Sequence, residues 1–350
     1  MAYTDIDDPS AYFQTKLYTA ADAYTFDGNS DMQPDFVWIK ERNGTNEHNL
    51  FDSVRGTTKR LESSTNAAEQ TSSTTLTAFG SDGFTVGNNP GTGQNGGNYV
   101  GWGWKVNGSG SENTVGDLTV TALSVNQTAG ISIGKIVNGF TSTSSNSETV
   151  GHGLGAIPQV IIVKNTEATG DWQVYHVGIG NTKKIRLNST SAGADSTLFN
   201  NTTPTSSVWS VRGGDFATGE DVVFYAFAEK KGYSKFGSYT GNGNADGTFF
   251  YTGFKPAFII QKRSDATHDW QLHDNKRGQY FPGNVVNNRI EPNASNAEGT
   301  GDDIGYDFLS NGFKTRTSNA NYNASGSVYI YMAFAENPFV TSTGVPATAR

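Results

Sequence analysis

One seven-residue pattern recurs along this chain and limits its folds more than any other feature. Its copies are Pro34-Asp35-Phe36-Val37-Trp38-Ile39-Lys40, Pro158-Gln159-Val160-Ile161-Ile162-Val163-Lys164 and Pro256-Ala257-Phe258-Ile259-Ile260-Gln261-Lys262. Each reads as a buried strand with Pro at its start, where a missing N–H is tolerated. Eight residues after each Lys stand His48, Trp172 and Trp270, opening a second alternating segment. A polar loop joins the two segments, so each pair predicts a hairpin. An Arg follows at 60, 186 and 289, and an acid nine residues later at Glu69, Asp195 and Glu298. Tyr99–Lys105, Phe224–Glu229 and Tyr329–Glu336 close the copies as aromatic strands.

The repeat is about 100 residues, too long for a solenoid rung or a propeller blade and suited to a complete small β-sandwich. Composition agrees. There are 42 glycines in 350 residues, 12% aromatics and only 17% charged residues. Gly and Asn serve tight turns, while Thr, Tyr, Phe and Val suit pleated surfaces. The expected fold is all-β, with three tandem antiparallel β-sandwich modules of the jelly-roll or lectin-like kind. The expected boundaries are an N-terminal arm at 1–15, modules at 16–112, 113–232 and 233–337, and an extended C-terminal arm at 338–350. They fall at Gly/Ser/Asn clusters such as Val106-Asn107-Gly108-Ser109-Gly110-Ser111.

The charge sum is −8. Without a basic cluster it argues against nucleic-acid partners. No apolar run reaches transmembrane length, so membrane insertion is not expected. Met1–Asp8 has neither a basic nor an apolar stretch, so no secretory signal is expected there. The chain has no Cys, which removes disulfides, thiol nucleophiles and Cys-ligated zinc.

The repeated polar residues read as loop clamps. Asp52 with Arg55 and Asp274 with Arg277 share Asp-x-x-Arg-Gly. Arg60, Arg186 and Arg289 are expected to pair with Glu69, Asp195 and Glu298. Trp172 and Trp270 are candidate ligand contacts. So are Tyr280 and Phe281, which lie in a loop particular to the third copy, where function concentrates. Asn242–Gly247 mimics the start of a calcium loop, but Gly253 stands where the closing acid belongs. No metal, cofactor or phosphate loop is expected. The five His form no catalytic spacing, and no Gly-x-Ser-x-Gly is present, so no catalytic residue is assigned. Shared acids such as Glu62 and Glu291 leave a polysaccharide depolymerase as an alternative.

Four stretches carry a family resemblance. They are Asp8-Pro9-Ser10-Ala11-Tyr12-Phe13-Gln14-Thr15-Lys16-Leu17-Tyr18, Leu50-Phe51-Asp52-Ser53-Val54-Arg55-Gly56, Val150-Gly151-His152-Gly153-Leu154 with Trp172 and His176, and Tyr251-Thr252-Gly253-Phe254-Lys255-Pro256-Ala257-Phe258. Through them the chain resembles repeat-containing, tail-fibre-like virion proteins of marine tailed phages, including those of cyanobacteria, with suspected concanavalin-A-like sandwiches. The resemblance implies a non-enzymatic structural protein on the virion surface, assembled in the host cytoplasm. It implies other tail or capsid proteins as partners, a host surface polysaccharide as ligand, and a homo-oligomer, with a trimer favoured. A capsid decoration protein or head fibre without a receptor role is the neighbouring alternative. The middle copy departs from the outer two, with His176-Val177-Gly178 in place of Asp-x-x-Arg-Gly.

Overall fold

The computed structural model describes residues 4–140, 146–212, 216, 218–278, 285–301 and 305–346. These residues form an all-β protein built of antiparallel sheets. The helical turn among them is one 3-10 turn at Pro9–Ala11, capped by Asp8. No helix among them is long and apolar enough to cross a membrane.

One four-strand order recurs three times. In the first third of the chain it runs Phe13–Thr19, Asn98–Trp104, Phe36–Glu41, Asn49–Asp52. In the last third it runs Ser234–Thr240, Val328–Pro338, Phe254–Arg263, Gln271–Asp274. In the middle third it runs Ile131–Ile136, Val222–Phe227, Val160–Asn165, Gln173–His176, inside a sheet extended at both edges. The registers correspond. Phe36 lies opposite Trp104 and Asp52, Val160 opposite Phe227 and His176, and Phe258 opposite Phe334 and Asp274.

Each of these sheets has both faces covered, which explains the unbroken apolar runs of the repeated motif. The outward face meets a smaller second sheet. That second sheet joins Ala23–Tyr24, Gly83–Val86 and Leu76–Gly80 in the first third, and Ser147–Gly151 with Val208–Arg212 in the middle. In the last third it joins Phe249–Tyr251, Gly312–Thr315, Tyr306–Leu309 and Val285–Val286. Val37, Ile39, Phe51 and Phe84 fill the first such layer. Ile161, Val163 and Tyr175 belong to the second, and Ile259, Tyr306 and Phe313 to the third.

The inward faces share a single core. Phe36, Trp38, Trp102 and Trp104 meet Val160, Trp172, Tyr225, Phe258, Trp270 and Phe334 there. Strand alternation sorts the closing strand Tyr99-Val100-Gly101-Trp102-Gly103-Trp104 between the two layers. The tryptophans face the shared core. A Cβ at Gly101 would stand 2.6 Å from Phe84 Cζ, and one at Gly103 would stand 2.6 Å from Phe26 Cζ. Glycine at these positions lets the rings of the outer layer lie against the strand.

The ends of the chain differ from the expected arms. The first strand begins at Phe13, inside the segment expected as an arm. The Ser/Gly stretch expected as a linker contributes an edge strand at Ser111–Asn113, which crosses the expected 112/113 boundary. The C-terminal segment is not extended. Val340 bridges Pro346, and Thr341 N–H donates to Val345 O at 2.8 Å, folding it into a hairpin. That hairpin is tied to the N-terminal segment by Ser342 N–H to Asp7 Oδ1, 2.6 Å. Asp5 N–H in turn donates to Lys231 O at 3.0 Å. Both ends of the described chain therefore pack together.

Candidate functional site

The Asp-x-x-Arg-Gly elements form two buried ion clusters at strand ends. Arg55 Nε meets Asp52 Oδ2 at 2.6 Å, and its NH1 reaches Glu69 Oε2 at 3.2 Å. Arg277 Nε meets Asp274 Oδ2 at 2.6 Å, and its NH1 reaches Glu298 Oε2 at 2.9 Å. Each guanidinium also donates to a carbonyl of the preceding strand, Leu50 or Leu272. Burial works against the Arg277 charge, but Asp274 and Glu298 outweigh it and hold the group protonated. Burial likewise raises the Glu298 carboxyl, and Arg42 and Arg277 outweigh it, leaving it below the usual range.

The pairing expected for Arg60, Arg186 and Arg289 is corrected. Arg60 meets Glu62 Oε1 at 3.2 Å, Arg289 meets Glu291 at 3.3 Å, and Arg186 meets Asp171 at 2.9 Å. Asp195 is exposed and pairs with Lys183 at 3.5 Å. Register is the cause. Arg60 lies opposite Gln70 in its ribbon. Glu69, one residue away, faces the other side.

Trp172 and Trp270 present no open face. They are 0% and 3% exposed, which corrects their assignment as ligand contacts. Their indole N–H groups instead lock one third of the chain to another. Trp172 Nε1 donates to Glu62 O at 2.8 Å, and Trp270 Nε1 to Arg186 O at 2.9 Å. His48, which takes the Trp position in the first copy, places Nε2 3.1 Å from Glu291 O. The contacts therefore run middle to first, last to middle and first to last, closing a ring.

A second ring uses the strand-end position. Tyr225 Oη donates to Asp52 Oδ2 at 2.7 Å, and Trp102 Nε1 to Asp274 Oδ2 at 2.9 Å. His176 Nε2 lies 3.1 Å from Tyr331 O. The middle copy's departure from Asp-x-x-Arg-Gly thus puts an imidazole where the others put a carboxylate. A third ring is backbone only: Glu69 N to Thr166 O, Gly193 N to Ser264 O and Glu298 N to Arg42 O, at 2.8–2.9 Å. Arg42 and Glu298 add a bidentate pair at 2.9 and 3.0 Å. Sequence reasoning missed these rings. The tripled Trp/His position was their only local signal.

The closing Lys of each motif is buried beneath its hairpin loop. Lys40 Nζ donates to Glu41 O and Gly44 O at 2.7 and 3.1 Å. Lys164 Nζ donates to Asn165 O at 2.8 Å, and Lys262 Nζ to Ala266 O at 3.2 Å. Burial pushes each of the three down to about 8. The side chain three residues after each Lys accepts an N–H from the closing strand or the residue before it: Asn98 to Asn43, Asp221 to Glu167, and Val328 to Asp265. Each loop is therefore braced from both sides and carries an exposed threonine at 45, 169 or 267.

At the shared core lies an apolar cavity of about 30 Å³, walled by Trp104, Trp172, Trp270 and Phe334 among others. Its accessible lining is apolar, which does not favour a buried water there. Two polar depressions open to the surface. One, of about 300 Å³, lies among Asn46, Glu47, Asn49, Arg60 and Glu62 in the first third. The other, of about 270 Å³, lies between the first strand and the last third, among Gln14, Thr15, Asn275 and Glu336. Tyr280 and Phe281 lie outside the described residues. The Asn242–Gly247 loop turns its oxygens on itself and on Lys314: Asn244 N donates to Asn242 Oδ1, Asp246 N to Asn244 Oδ1, and Lys314 Nζ to Asp246 Oδ1. Among the described residues no group of three metal-ligating side chains occurs.

No curated protein and no solved structure matches the chain. A family model does match, over residues 8–338, so it runs without interruption from the capped turn at Pro9 to the end of the last strand. The chain belongs to that family, which is described as a domain of unknown function, DUF7483.

Proposed function

We propose that this protein is a non-enzymatic structural component of a tailed-phage virion surface, in the tail or fibre apparatus, where it contacts host surface glycan. In this reading the chain is three tandem β-sandwich modules closed around a common core. The observation that carries it is the set of three hydrogen-bond rings joining the thirds of the chain. A recognition scaffold gains affinity from rigid presentation, and three braced loops on one body offer the same chemistry three times. The sequence resemblance to marine phage virion proteins supplies the setting. The trimer expected of such an appendage is, on this reading, built into one chain, because each third already covers the inner faces of the other two.

The test is immunogold electron microscopy of particles from the source, using an antibody raised against the recombinant chain. Label on the tail or its fibres is the expected result. Label distributed over the head would replace the adsorption role with capsid decoration. Particles free of label would overturn the virion assignment altogether.

A further inference from the structure

In the last third, Lys255 lies opposite Asn337 and Pro256 opposite Ala335, so Glu336 is left over as a bulge residue of the closing strand. A bulge re-aims the side chain it carries. Here the Glu336 carboxylate is turned to two nitrogens at once. Its Oε2 receives Lys255 Nζ at 3.0 Å and Asn275 Nδ2 at 2.7 Å. Asn275 directly follows the strand Gln271–Asp274, and its own N–H donates to Ala257 O at 2.9 Å. The Lys255 side chain is 7% exposed. A primary amine and a primary amide are thus held against one carboxylate oxygen, with the amine nearly out of water. Of the three copies, the last alone has this set. Gln33, Ser53 and Val106 take the three positions in the first copy, and Ile157, Val177 and Glu229 take them in the middle one. Where the acid stands without the other two, at Glu229, it receives Lys235 Nζ and the Phe236 N–H instead. An ion pair needs only the lysine. The amide as third member gives the constellation a chemistry.

We propose that Lys255 and Asn275 are the reactants of an intramolecular isopeptide bond, with Glu336 as its proton carrier. Lys255 Nζ passes one proton to Glu336 Oε2 and becomes the neutral amine, the nucleophilic form of lysine. The amine attacks Asn275 Cγ. The Nζ–Cγ bond forms and the Cγ–Nδ2 bond breaks. A second Nζ proton goes with the leaving nitrogen, which departs as ammonia, and no oxidant or reductant is consumed. Both contacts of Glu336 lie within the roughly 2.6–3.2 Å reach of a general acid–base. Holding amine and amide against the same oxygen lowers the entropic part of the barrier. Asn275 and Glu336 also border an open depression, which gives the ammonia a way out. The bond joins the start of the strand Phe254–Arg263 to the end of its hairpin partner, so that hairpin is stapled at its open end. This chemistry does not depend on the virion role.

The test is mass spectrometry of the full recombinant chain. The folded protein is expected to be lighter than its sequence by the mass of one ammonia. After trypsin, the peptide carrying Lys255 is expected to be joined to the one carrying Asn275. Lys255→Arg, Asn275→Ala and Glu336→Gln are each expected to restore the full mass and abolish the joined peptide. Circular dichroism checks the fold of Glu336→Gln, which keeps the shape of the side chain, so loss of the bond there reports the proton carrier. A folded wild-type chain that keeps its full mass and yields the two peptides separately would overturn the proposal, whatever the variants do. Ammonia loss without a joined peptide would point to a cyclic imide at an asparagine and would overturn it equally. A joined peptide that persists in Glu336→Gln would overturn the role given to Glu336.

Discussion

At the residue scale, the joints that depend on imidazole make stability sensitive to acid. His48 Nδ1 accepts Trp38 Nε1–H at 2.8 Å, and His176 Nδ1 accepts Gly178 N–H at 3.0 Å. Each ring faces a carbonyl with its other nitrogen, so the neutral tautomer protonated at Nε2 satisfies both bonds. Protonation at Nδ1 would break one bond and bury a charge. Burial pushes His176 down to about 4. It also takes His273 to about 3, with Arg277 and Arg289 adding to the effect. The unfolded chain takes up these protons near pH 6.5 and the native protein does not. The contribution of these histidines to stability is therefore complete above pH 6.5 and is lost as pH drops from there towards their native values. Urea unfolding between pH 7 and pH 4 should show a falling midpoint beginning above the carboxylate range, and His176→Gln should flatten that slope. The buried lysines act in the same direction at higher pH. With native values near 8 against 10.5 unfolded, they favour folding increasingly as pH rises across that interval.

The sequence announces these residues only partly. The tripled Lys is visible as the last residue of each motif, but its burial is not, because a Lys closing a strand normally reaches solvent. Trp172 and Trp270 are visible as repeated aromatics. Their partner carbonyls, Glu62 O and Arg186 O, lie 110 and 84 residues away in sequence, and no local pattern marks them.

At the scale of the element, the clamps hold the loop after the second strand to that strand's own carbonyls. Removing Arg277 would leave Asp274 buried without its counter-charge and Glu298 with Arg42 alone. Arg277→Ala should therefore destabilise the protein by about 3–5 kcal/mol, measured by denaturant unfolding. Lys183→Ala, which removes only the exposed pair with Asp195, should cost no more than about 1 kcal/mol. Equal effects from the two would show that the cluster is not an energetic clamp. The strands themselves are legible because the repeated motif is apolar without interruption. The mispairing of Arg60 with Glu69 shows the limit. A spacing of nine residues is conserved between copies, but which side of a two-residue ribbon each member faces depends on a register that spacing does not encode. The C-terminal hairpin escapes for a similar reason. Its turn is stabilised by Asp7, 335 residues away, which receives Ser342.

At the scale of the whole molecule, the repeats are clear in sequence but their mutual packing is not. Tandem sandwiches usually behave as separate beads with modest interfaces. Here the inward faces of all three sheets belong to one apolar cluster, and exposing any of them would uncover several buried aromatics at once. No additional chain is needed to cover those faces. Light scattering should accordingly return the mass of one chain, 37.5 kDa, across the micromolar range, and a stable mass three times larger would contradict a trimer built into the single chain.

The most direct measurement is differential scanning calorimetry of the intact protein. Three thirds that share one core and three rings of hydrogen bonds must melt together. The account predicts one transition whose calorimetric enthalpy equals its van 't Hoff enthalpy. Separate transitions, or a calorimetric enthalpy roughly three times the van 't Hoff value, would mean that the thirds unfold independently and that the common core does not hold the protein together.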